Sequence, residues 1–409
     1  MVGGGRPSRE RSLSVFTGPV RRIGVQERRA RLATRHHLAR PESGVVTVAG
    51  DLVGLHSSDT PSVYLSARAR LRHFTVADME EALYEKRTLV RMLGMRRTMF
   101  VVPVDLAAVM DAACTQALAP AERRRLVRML EDQGIAADGT RWLAQVSEVT
   151  LAAMAARGEA TAAELTDDVP ELGRKLSFGE GKRWAGTVGV STRVLFLLAT
   201  EGRVVRGRPL GSWLSRQYRW SPTASWLEGG LPDMDATAAR RELLERWLRT
   251  FGPGTLTDLR WWTGWTVKHT QAALSALGAV EVQLDDGIGY VLADDVEPVD
   301  GHDPWAALLP ALDGSVMGWK ERGWYLGGHG PRLFDRNGNA GPTVWSEGRV
   351  VGGWGQGADG AVAVRLLEDV GGDAEELIAL EAERLSDWLG SVRVTPLFRT
   401  PVERELAGS

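Results

Sequence analysis

Residues 235–295 constrain the fold most strongly, because helix, cap and turn signals follow one another there in a fixed order. A helical apolar pattern around Trp247 comes first. Thr255-Leu-Thr-Asp258 then has the form of a capping box, with Asp in place of the usual Glu. A second helical pattern leads into a strand pair that turns at Gly287. This order predicts a winged helix-turn-helix unit, although the same elements also form units used only for packing.

Residues 143–220 and 26–104 repeat this order of elements. Residues 143–220 contain the capping box Thr161-Ala-Ala-Glu164 and end in a ribbon, 203–220, where arginines alternate with aromatic residues. Such a ribbon fits contact with a nucleic acid backbone and stacking on bases, or packing of its aromatic rings against a neighbouring domain. Residues 26–104 are the most divergent copy and end in the strand pair TLVRMLGMRRTMFVVP.

The repeats predict an α+β protein with three tandem winged helix-turn-helix units. The last part of the chain has short strands between glycine-rich turns, which predict a small β-barrel or sheet followed by a helix and a last strand at 392–397. The predicted parts are a disordered tail (1–11), a first unit (12–104), a second (105–232), a third (233–297) and the barrel section (298–409).

Composition excludes several classes of protein. The single cysteine, Cys114, rules out an intrachain disulfide and a thiolate zinc cage, and the histidines have no HExxH spacing, so we expect no metal or other cofactor. The glycine-rich segments 327–330 and 352–357 lack the context of a phosphate loop and predict turns, so no nucleotide cofactor is expected. No apolar run is long enough to cross a membrane, and no secretory signal is visible, which favours a cytoplasmic, nucleoid-associated protein.

The charge distribution is asymmetric although the formal net charge is only −2. Residues 1–40 contain ten arginines against two acidic residues, whereas acidic residues concentrate around 285–303 and 368–383. This asymmetry predicts a face for a polyanion in the N-terminal half; solvated helix faces are the alternative interpretation.

Three groups of segments resemble the winged-helix DNA glycosylases of the AlkZ and YcaQ type, and the resemblance covers most of residues 26–400. The segments are FGPGTLTDLRWWTGW (251–265), LLPALDGSVMGWKERGWYL (308–326) with LFDRNGNAGPTVWSEGRVVGGWGQ (333–356), and DLVGLHSSDTPSVYLSARAR (51–70) with MRRTMFVVP (95–103). The resemblance implies a C-shaped arrangement of the three units around the barrel, with a positively charged channel for duplex DNA. It also implies excision of alkylated purines, including bulky adducts or crosslinks.

In the resembled family, the segment after Val-Gly-Leu holds glutamine–apolar–glutamine or glutamine–apolar–aspartate, which is associated with positioning water and stabilising the sugar. The matching residues here are His56, Ser57 and Ser58, followed by Asp59, so His56, Ser58 and Asp59 are the catalytic candidates. A histidine can hydrogen-bond or act as a base, but it is also a common structural residue. Ser58 is shorter than the family residue. Asp59 lies one position later, so it is expected to face the other way, and it can cap a helix that begins near Pro61.

The expected DNA contacts are seven arginines of the basic clusters: Arg68, Arg70, Arg96, Arg97, Arg203, Arg206 and Arg208. Arg96-Arg97-Thr98 corresponds to an Arg-Gly-Thr stretch of the resembled family, so Arg97 adds bulk where that family has glycine. Phosphate binding and an exposed strand charge are both open interpretations for this position.

Whether the chain is an enzyme stays open at this point. None of the five lysines lies near His56 in sequence, so an active enzyme is expected to be a monofunctional glycosylase without a Schiff base. The alternatives are a non-catalytic winged-helix DNA-binding protein or a transcription regulator. The expected partner is duplex DNA, and a monomer is expected because no heptad segment for dimerisation is visible.

Overall fold

The computed structural model describes residues 20–182 and 185–408, so the predicted tail at 1–11 lies outside the described residues. Helices and strands are interspersed along the chain, in agreement with the mixed class that the repeats predict. In the first part the elements are α1 (Val25–Arg35), α2 (Val45–Asp51), β1 (Leu55–His56), α3 (Thr60–Arg68), α4 (Val76–Glu80, continued by a π-helical turn Glu81–Glu85), β2 (Leu89–Leu93), a 3-10 turn Met95–Arg97 and β3 (Met99–Pro103).

Among the described residues, the second part contains three helices of eleven residues or more. Its elements are α5 (Val104–Met110, continued by a π-helical turn Asp111–Thr115), α6 (Ala119–Asp132), α7 (Gly139–Arg157), α8 (Ala162–Asp168), a 3-10 turn Pro170–Gly173, β4 (Lys175–Phe178), β5 (Gly186–Gly189), α9 (Val190–Thr200), β6 (Val204–Pro209), β7 (Tyr218–Pro222) and α10 (Thr223–Trp226). The predicted capping box forms at the start of α8, where Thr161 and Glu164 each accept a backbone hydrogen bond from the other.

One five-stranded sheet joins the hairpins of these two parts, in the order β1-β3-β2-β6-β7. The seam is antiparallel, with Arg91 of β2 opposite Arg206 of β6. The hairpin of 203–220, which the sequence assigns to the second unit, therefore extends the sheet of the first. The division at residues 104 and 105 remains a prediction.

The third part forms the elements that its sequence predicts. They are α11 (Ala236–Phe251), β8 (Gly254–Thr255), α12 (Leu256–Thr263), α13 (Val267–Leu277), β9 (Val280–Leu284) and β10 (Gly287–Val291). The capping box at Thr255 and Asp258 is present, and α12 ends at Gly264, whose left-handed φ of 76° suits a residue without a side chain. β8 pairs with β10, so the hairpin gains a third strand.

The last part consists of β11 (Ala306–Leu309), α14 (Gly314–Met317), α15 (Gly323–Leu326), α16 (Gly330–Leu333), β12 (Thr343–Ser346), β13 (Arg349–Gln356), β14 (Val362–Leu366), α17 (Gly372–Leu389) and α18 (Pro401–Ala407). Its strands run β11-β12-β13-β14 in an open sheet, and no pairing closes it into a barrel among the described residues. The predicted last strand at 392–397 is wrong. The side-chain amide of Gln356 bonds the backbone of Val392 and Val394 there, so these groups are satisfied without a partner strand.

Two large cores hold these parts together. The first is continuous through the first, third and last parts and includes Tyr64, Trp247, Phe251 and Trp345. The second is built mainly from α6, α7, α9 and the residues around α8. The five-stranded sheet lies between the two cores, because its strands contribute to both.

Candidate active site and DNA-contacting arginines

The loop after β1 holds the three catalytic candidates. His56 pairs with Phe100 in the β1–β3 ladder. The next two residues continue toward β3, since the Ser57 amide donates to the Met99 carbonyl at 2.7 Å and the Met99 amide donates to Ser58 Oγ at 3.3 Å. The backbone of β3 therefore determines which way Ser58 points.

His56 is a neutral, interior side chain. Its ring packs edge-on against Phe100 with centroids 5.1 Å apart, and only 8% of the residue is exposed. Burial, followed by the charge of Arg96, lowers the pKa of His56 to about 3. At neutral pH the imidazole is therefore uncharged and does not supply a proton as a general acid.

Ser58 lines a cavity of about 630 Å³ between the five-stranded sheet and helices α8 and α9. Its polar lining combines hydroxyl groups and cations, and no carboxylate is among the lining residues. The lining residues are Ser58, Leu93, Arg97, Met99, Thr161, Ala162, Ala163, Thr192, Leu195, Phe196, Ala199, Arg206, Leu210, Arg216, Gln217, Tyr218 and Trp220. Such a lining suits a nucleotide, with hydroxyls and cations for sugar and phosphate and aromatic faces for a base.

Asp59 faces away from this cavity, as expected from its position one residue later in an extended segment. It occupies the N-cap position of α3 but bonds no amide there; its Oδ2 accepts from the Ser62 hydroxyl at 3.1 Å. The residue is 1% exposed and borders a small void beside Trp354 of the last sheet. Burial raises the pKa of the Asp59 carboxyl. Of the three catalytic candidates, only Ser58 lines the cavity of about 630 Å³.

Arg91 is a site residue that the sequence analysis missed. It lies in β2 beneath the loop, 3% exposed, and donates to the carbonyl of Ser57 at 2.6 Å and to the Thr60 hydroxyl at 3.2 Å. It also lies over the ring of Tyr218, 5.2 Å from the centroid. The signal was one charged residue in the otherwise apolar strand LVRML.

Arg70 is not a DNA contact, which corrects the expectation from its basic cluster. The side chain is fully buried and forms an ion pair with Asp313 at 2.7 Å, in which neither side chain is exposed. It also donates to the Ser315 hydroxyl at 2.8 Å. Charge clustering in sequence failed here because it does not report that the last part of the chain covers the residue just after α3.

Four of the six other arginines also have a carboxylate partner. The pairs are Arg68 with Glu381 (3.4 Å), Arg97 with Glu122, Arg203 with Glu148 (2.7 Å), and Arg208 with Glu80 (3.1 Å) and Glu85 (2.6 Å). Within residues 20–182 and 185–408, no ion pair forms at Arg96 or Arg206. Of the seven predicted arginines, Arg96 and Arg206 are therefore the two whose charge is not matched by a carboxylate.

Both unmatched cations are held on aromatic rings. Arg206 lies over Tyr218 at 3.9 Å and over Trp220 at 5.1 Å from the ring centroids, and it lines the cavity. Arg96 lies over Trp261 at 3.9 Å. Burial lowers the pKa of each guanidinium to about 10, so both remain charged at neutral pH.

No group of three or more His, Cys, Asp or Glu side chains that could hold a metal ion is present among the described residues. Over the same parts of the chain, no helix has the length and apolar character needed to cross a membrane.

The comparisons with known proteins agree on one family. The model of the family described as "DNA glycosylase AlkZ-like" matches residues 49–388. A solved structure, the DNA glycosylase AlkZ of Streptomyces sahachiroi, superposes with a TM-score of 0.68 at 18% identity, covering 91% of this chain and 98% of that one. No curated protein matches the sequence. Because the family model spans most of the chain, including the Ser58 loop and both unmatched arginines, the chain belongs to the AlkZ-like DNA glycosylase family.

Proposed function

We propose that this protein is a monofunctional DNA glycosylase that hydrolyses the N-glycosidic bond of alkylated purines in duplex DNA. One observation carries the proposal. Within the region that matches the family, the loop at the position of the family's polar motif presents Ser58 to a cavity that is also lined by Arg206, a cation without a carboxylate partner within the described residues, and by the rings of Tyr218 and Trp220. This arrangement places the Ser58 hydroxyl, which can take part in the reaction, in the same cavity as the Arg206 guanidinium, which can bind a backbone phosphate.

The chemistry needs little help with the leaving group, because an N7- or N3-alkylated purine is already cationic. A bond forms between a water oxygen and C1′ while the bond from C1′ to the purine nitrogen breaks; its electron pair stays with the base, and the water releases a proton to solvent. The hydroxyl of Ser58 accepts from the Met99 amide, which leaves its own proton free to orient the water or the sugar. Neutral His56 contributes by packing against Phe100.

Release of base from a duplex containing one N7-methylguanine tests this proposal, with the abasic product revealed by alkali cleavage. We expect excision by the wild type, and a loss of about 10²-fold in Ser58→Ala, because positioning is the contribution removed. Asp59→Asn is expected to keep excision, since Asp59 does not line the cavity.

Ser43→Ala is the matched control, because Ser43 is an exposed serine that bonds only its neighbour Glu42. Duplex affinity is measured for every variant, so that a loss of binding is separated from a loss of chemistry. A wild type that binds duplex with steep salt dependence but releases no base would contradict the reaction and favour a binding role. Excision lost in Asp59→Asn and kept in Ser58→Ala would contradict the assignment of Ser58.

A further inference from the structure

The turn between β2 and β3 carries two arginines whose side chains go to different places. Arg97 lines the cavity and pairs with Glu122, whereas Arg96 leaves the cavity and stacks on Trp261 of α12. Both residues have a left-handed backbone, with φ of 52° and 64°, which glycine or asparagine adopts more easily. Two arginines in such a turn are unusual and need an explanation beyond the turn itself.

A second cation lies on the same ring. Arg322, from the segment before α15, lies 4.8 Å from the centroid of Trp261 and 4.9 Å from that of Phe334. The Nε atoms of Arg96 and Arg322 are both buried and have no hydrogen-bond partner among the described residues. No ion pair involves either side chain within residues 20–182 and 185–408. Two cations thus share one ring without a carboxylate partner among the described residues, an arrangement whose mutual repulsion a bound anion would relieve.

The geometry suits a tetrahedral oxyanion. Stacking on Trp261 covers one face of each guanidinium, and the N–H edges of arginine bind phosphate oxygens in pairs. The Nε of each arginine is without a partner among the described residues, whereas Nη2 of Arg322 donates to Met317 Sδ at 3.8 Å. The site draws on three distant segments: the β2–β3 turn, α12 and the segment before α15. An anion at this place would therefore be bound only by the assembled fold.

The position relative to the cavity identifies the source of that phosphate. Arg96 and Arg97 are consecutive, so their Cα atoms are about 3.8 Å apart, and one turn carries both the residue that lines the cavity and the residue that stacks on Trp261. A DNA strand whose nucleotide enters the cavity beside Arg97 would cross this turn and pass over Arg96. This step rests on the proposed function, since it requires that DNA occupies the cavity.

We propose that Arg96 and Arg322, held on Trp261, form a clamp for one backbone phosphate of the DNA strand whose nucleotide enters the Ser58 cavity. Arg322 is the new element of this site. It is absent from the basic clusters of the N-terminal half, because it comes from the last part of the chain.

The salt dependence of duplex affinity tests the clamp, because each phosphate that the protein neutralises adds about 0.9 to the slope of log K against log salt. We expect Arg322→Met and Arg96→Met each to lower the slope by up to about 0.9. The double variant is expected to lower it by about 0.9 and no more, since both side chains bind one phosphate. A loss of about 1.8 in the double variant would assign two separate phosphates and overturn the shared clamp.

Two control variants separate charge from packing. Arg332→Met removes the same charge from an exposed arginine paired with Glu405, so the slope is expected to stay unchanged. Arg322→Lys keeps the charge and is expected to retain most of the slope; a loss as large as that of Arg322→Met would attribute the effect to packing and overturn the proposal.

Two further comparisons complete the test. One separates free phosphate from a DNA phosphate as the bound anion, and the other separates failure of the clamp from failure of the proposed function. Melting temperature is compared in inorganic phosphate and in chloride at equal ionic strength. A phosphate-dependent rise that disappears in Arg322→Met, together with an unchanged salt slope of duplex binding in that variant, would assign the site to free phosphate and overturn the DNA clamp. If the wild type binds duplex with the expected salt dependence and Arg322→Met has the same slope, only the clamp fails; a wild type that binds no duplex contradicts the proposed function as well as the clamp.

Discussion

Arg70 and Asp313 form an ion pair deep in the first core, and neighbouring hydroxyls complete its hydrogen bonding. Ser66 donates to Asp313 Oδ2 at 2.5 Å, and the Ser315 amide donates to Oδ1 at 2.9 Å. Burial alone would raise the pKa of Asp313, but the charge and hydrogen bonds of Arg70, together with the hydrogen bonds from Ser66 and Ser315, outweigh it and lower the pKa below its usual value. The pair therefore stays ionised, and each partner depends on the other.

We expect Arg70→Met to lower the free energy of unfolding by about 3–5 kcal/mol, because the buried carboxylate of Asp313 loses its counter-charge. Arg203→Met is the control, since it breaks an exposed pair with Glu148 that contributes at most about 1 kcal/mol. Chemical unfolding at neutral pH measures both. Equal losses in the two variants would contradict the buried-pair assignment.

Two buried histidines predict a loss of stability on acidification. Burial lowers the pKa of His36 and of His56 to about 3, whereas an unfolded histidine titrates near 6.5. Below pH 6.5 the unfolded chain therefore binds protons that the folded chain does not, and the free energy of unfolding falls until the pH reaches about 3. Each histidine adds a slope that approaches 1.4 kcal/mol per pH unit.

We expect His56→Phe to reduce the pH dependence of the free energy of unfolding by the contribution of one proton, because the phenylalanine ring can still pack on Phe100 but does not titrate. Unfolding between pH 6.5 and 5 is the informative range, since most carboxylates titrate below it. An unchanged slope in His56→Phe would show that His56 is protonated in the folded state.

At the scale of the elements, α12 is the helix that connects the third part to the last. Its capping residue Asp258 accepts from the Thr255 amide at 3.0 Å, as the sequence predicts. Its other oxygen, Oδ1, accepts from the amides of Lys320 and Glu321 at 2.8 and 2.9 Å. The carboxylate of Asp258 therefore caps the N-terminus of α12 and also accepts hydrogen bonds from the segment that precedes Arg322.

We expect Asp258→Ala to cost about 3 kcal/mol or more of unfolding free energy, because hydrogen bonds to a charged acceptor are lost on both sides. Glu164→Ala is the matched control, since that capping box serves only α8 and its loss is expected to cost about 1 kcal/mol. Chemical unfolding compares the two. Similar costs would mean that the contacts of Asp258 with residues 320 and 321 contribute little.

Across the whole molecule, we expect pairing with carboxylates to determine which arginines are available to DNA. Arg206 and Arg208 lie two residues apart on β6, but Arg208 is paired with Glu80 and Glu85, and Arg206 has no carboxylate partner within the described residues. The two positions therefore form a matched pair with the same residue type and the same strand.

We expect Arg206→Met to lower the salt slope of duplex binding by about 0.9 and to weaken affinity at low salt, because one phosphate contact is lost. Arg208→Met is expected to leave the slope unchanged. Affinity measured at several salt concentrations tests both. A larger effect in Arg208→Met than in Arg206→Met would show that carboxylate pairing does not predict the DNA contacts.

The local features of this protein follow from its amino-acid sequence alone. The capping boxes at Thr161 and Thr255 and the turns of the hairpins form where they were predicted, since each depends on residues three or four apart. The family was also visible in the sequence, because three long segments carry it together. The opposite directions of Ser58 and Asp59 followed from the alternation of an extended chain.

Which arginines have a carboxylate partner depends on the tertiary structure. Arg70 meets Asp313 across 243 positions of sequence, and Arg68 meets Glu381 across 313. The sharing of Trp261 by Arg96 and Arg322 has the same origin. Charge acts through distance in space and through burial, and neither is encoded in the spacing of nearby residues, so a basic cluster in the sequence contained both interior ion pairs and the cations proposed to bind DNA.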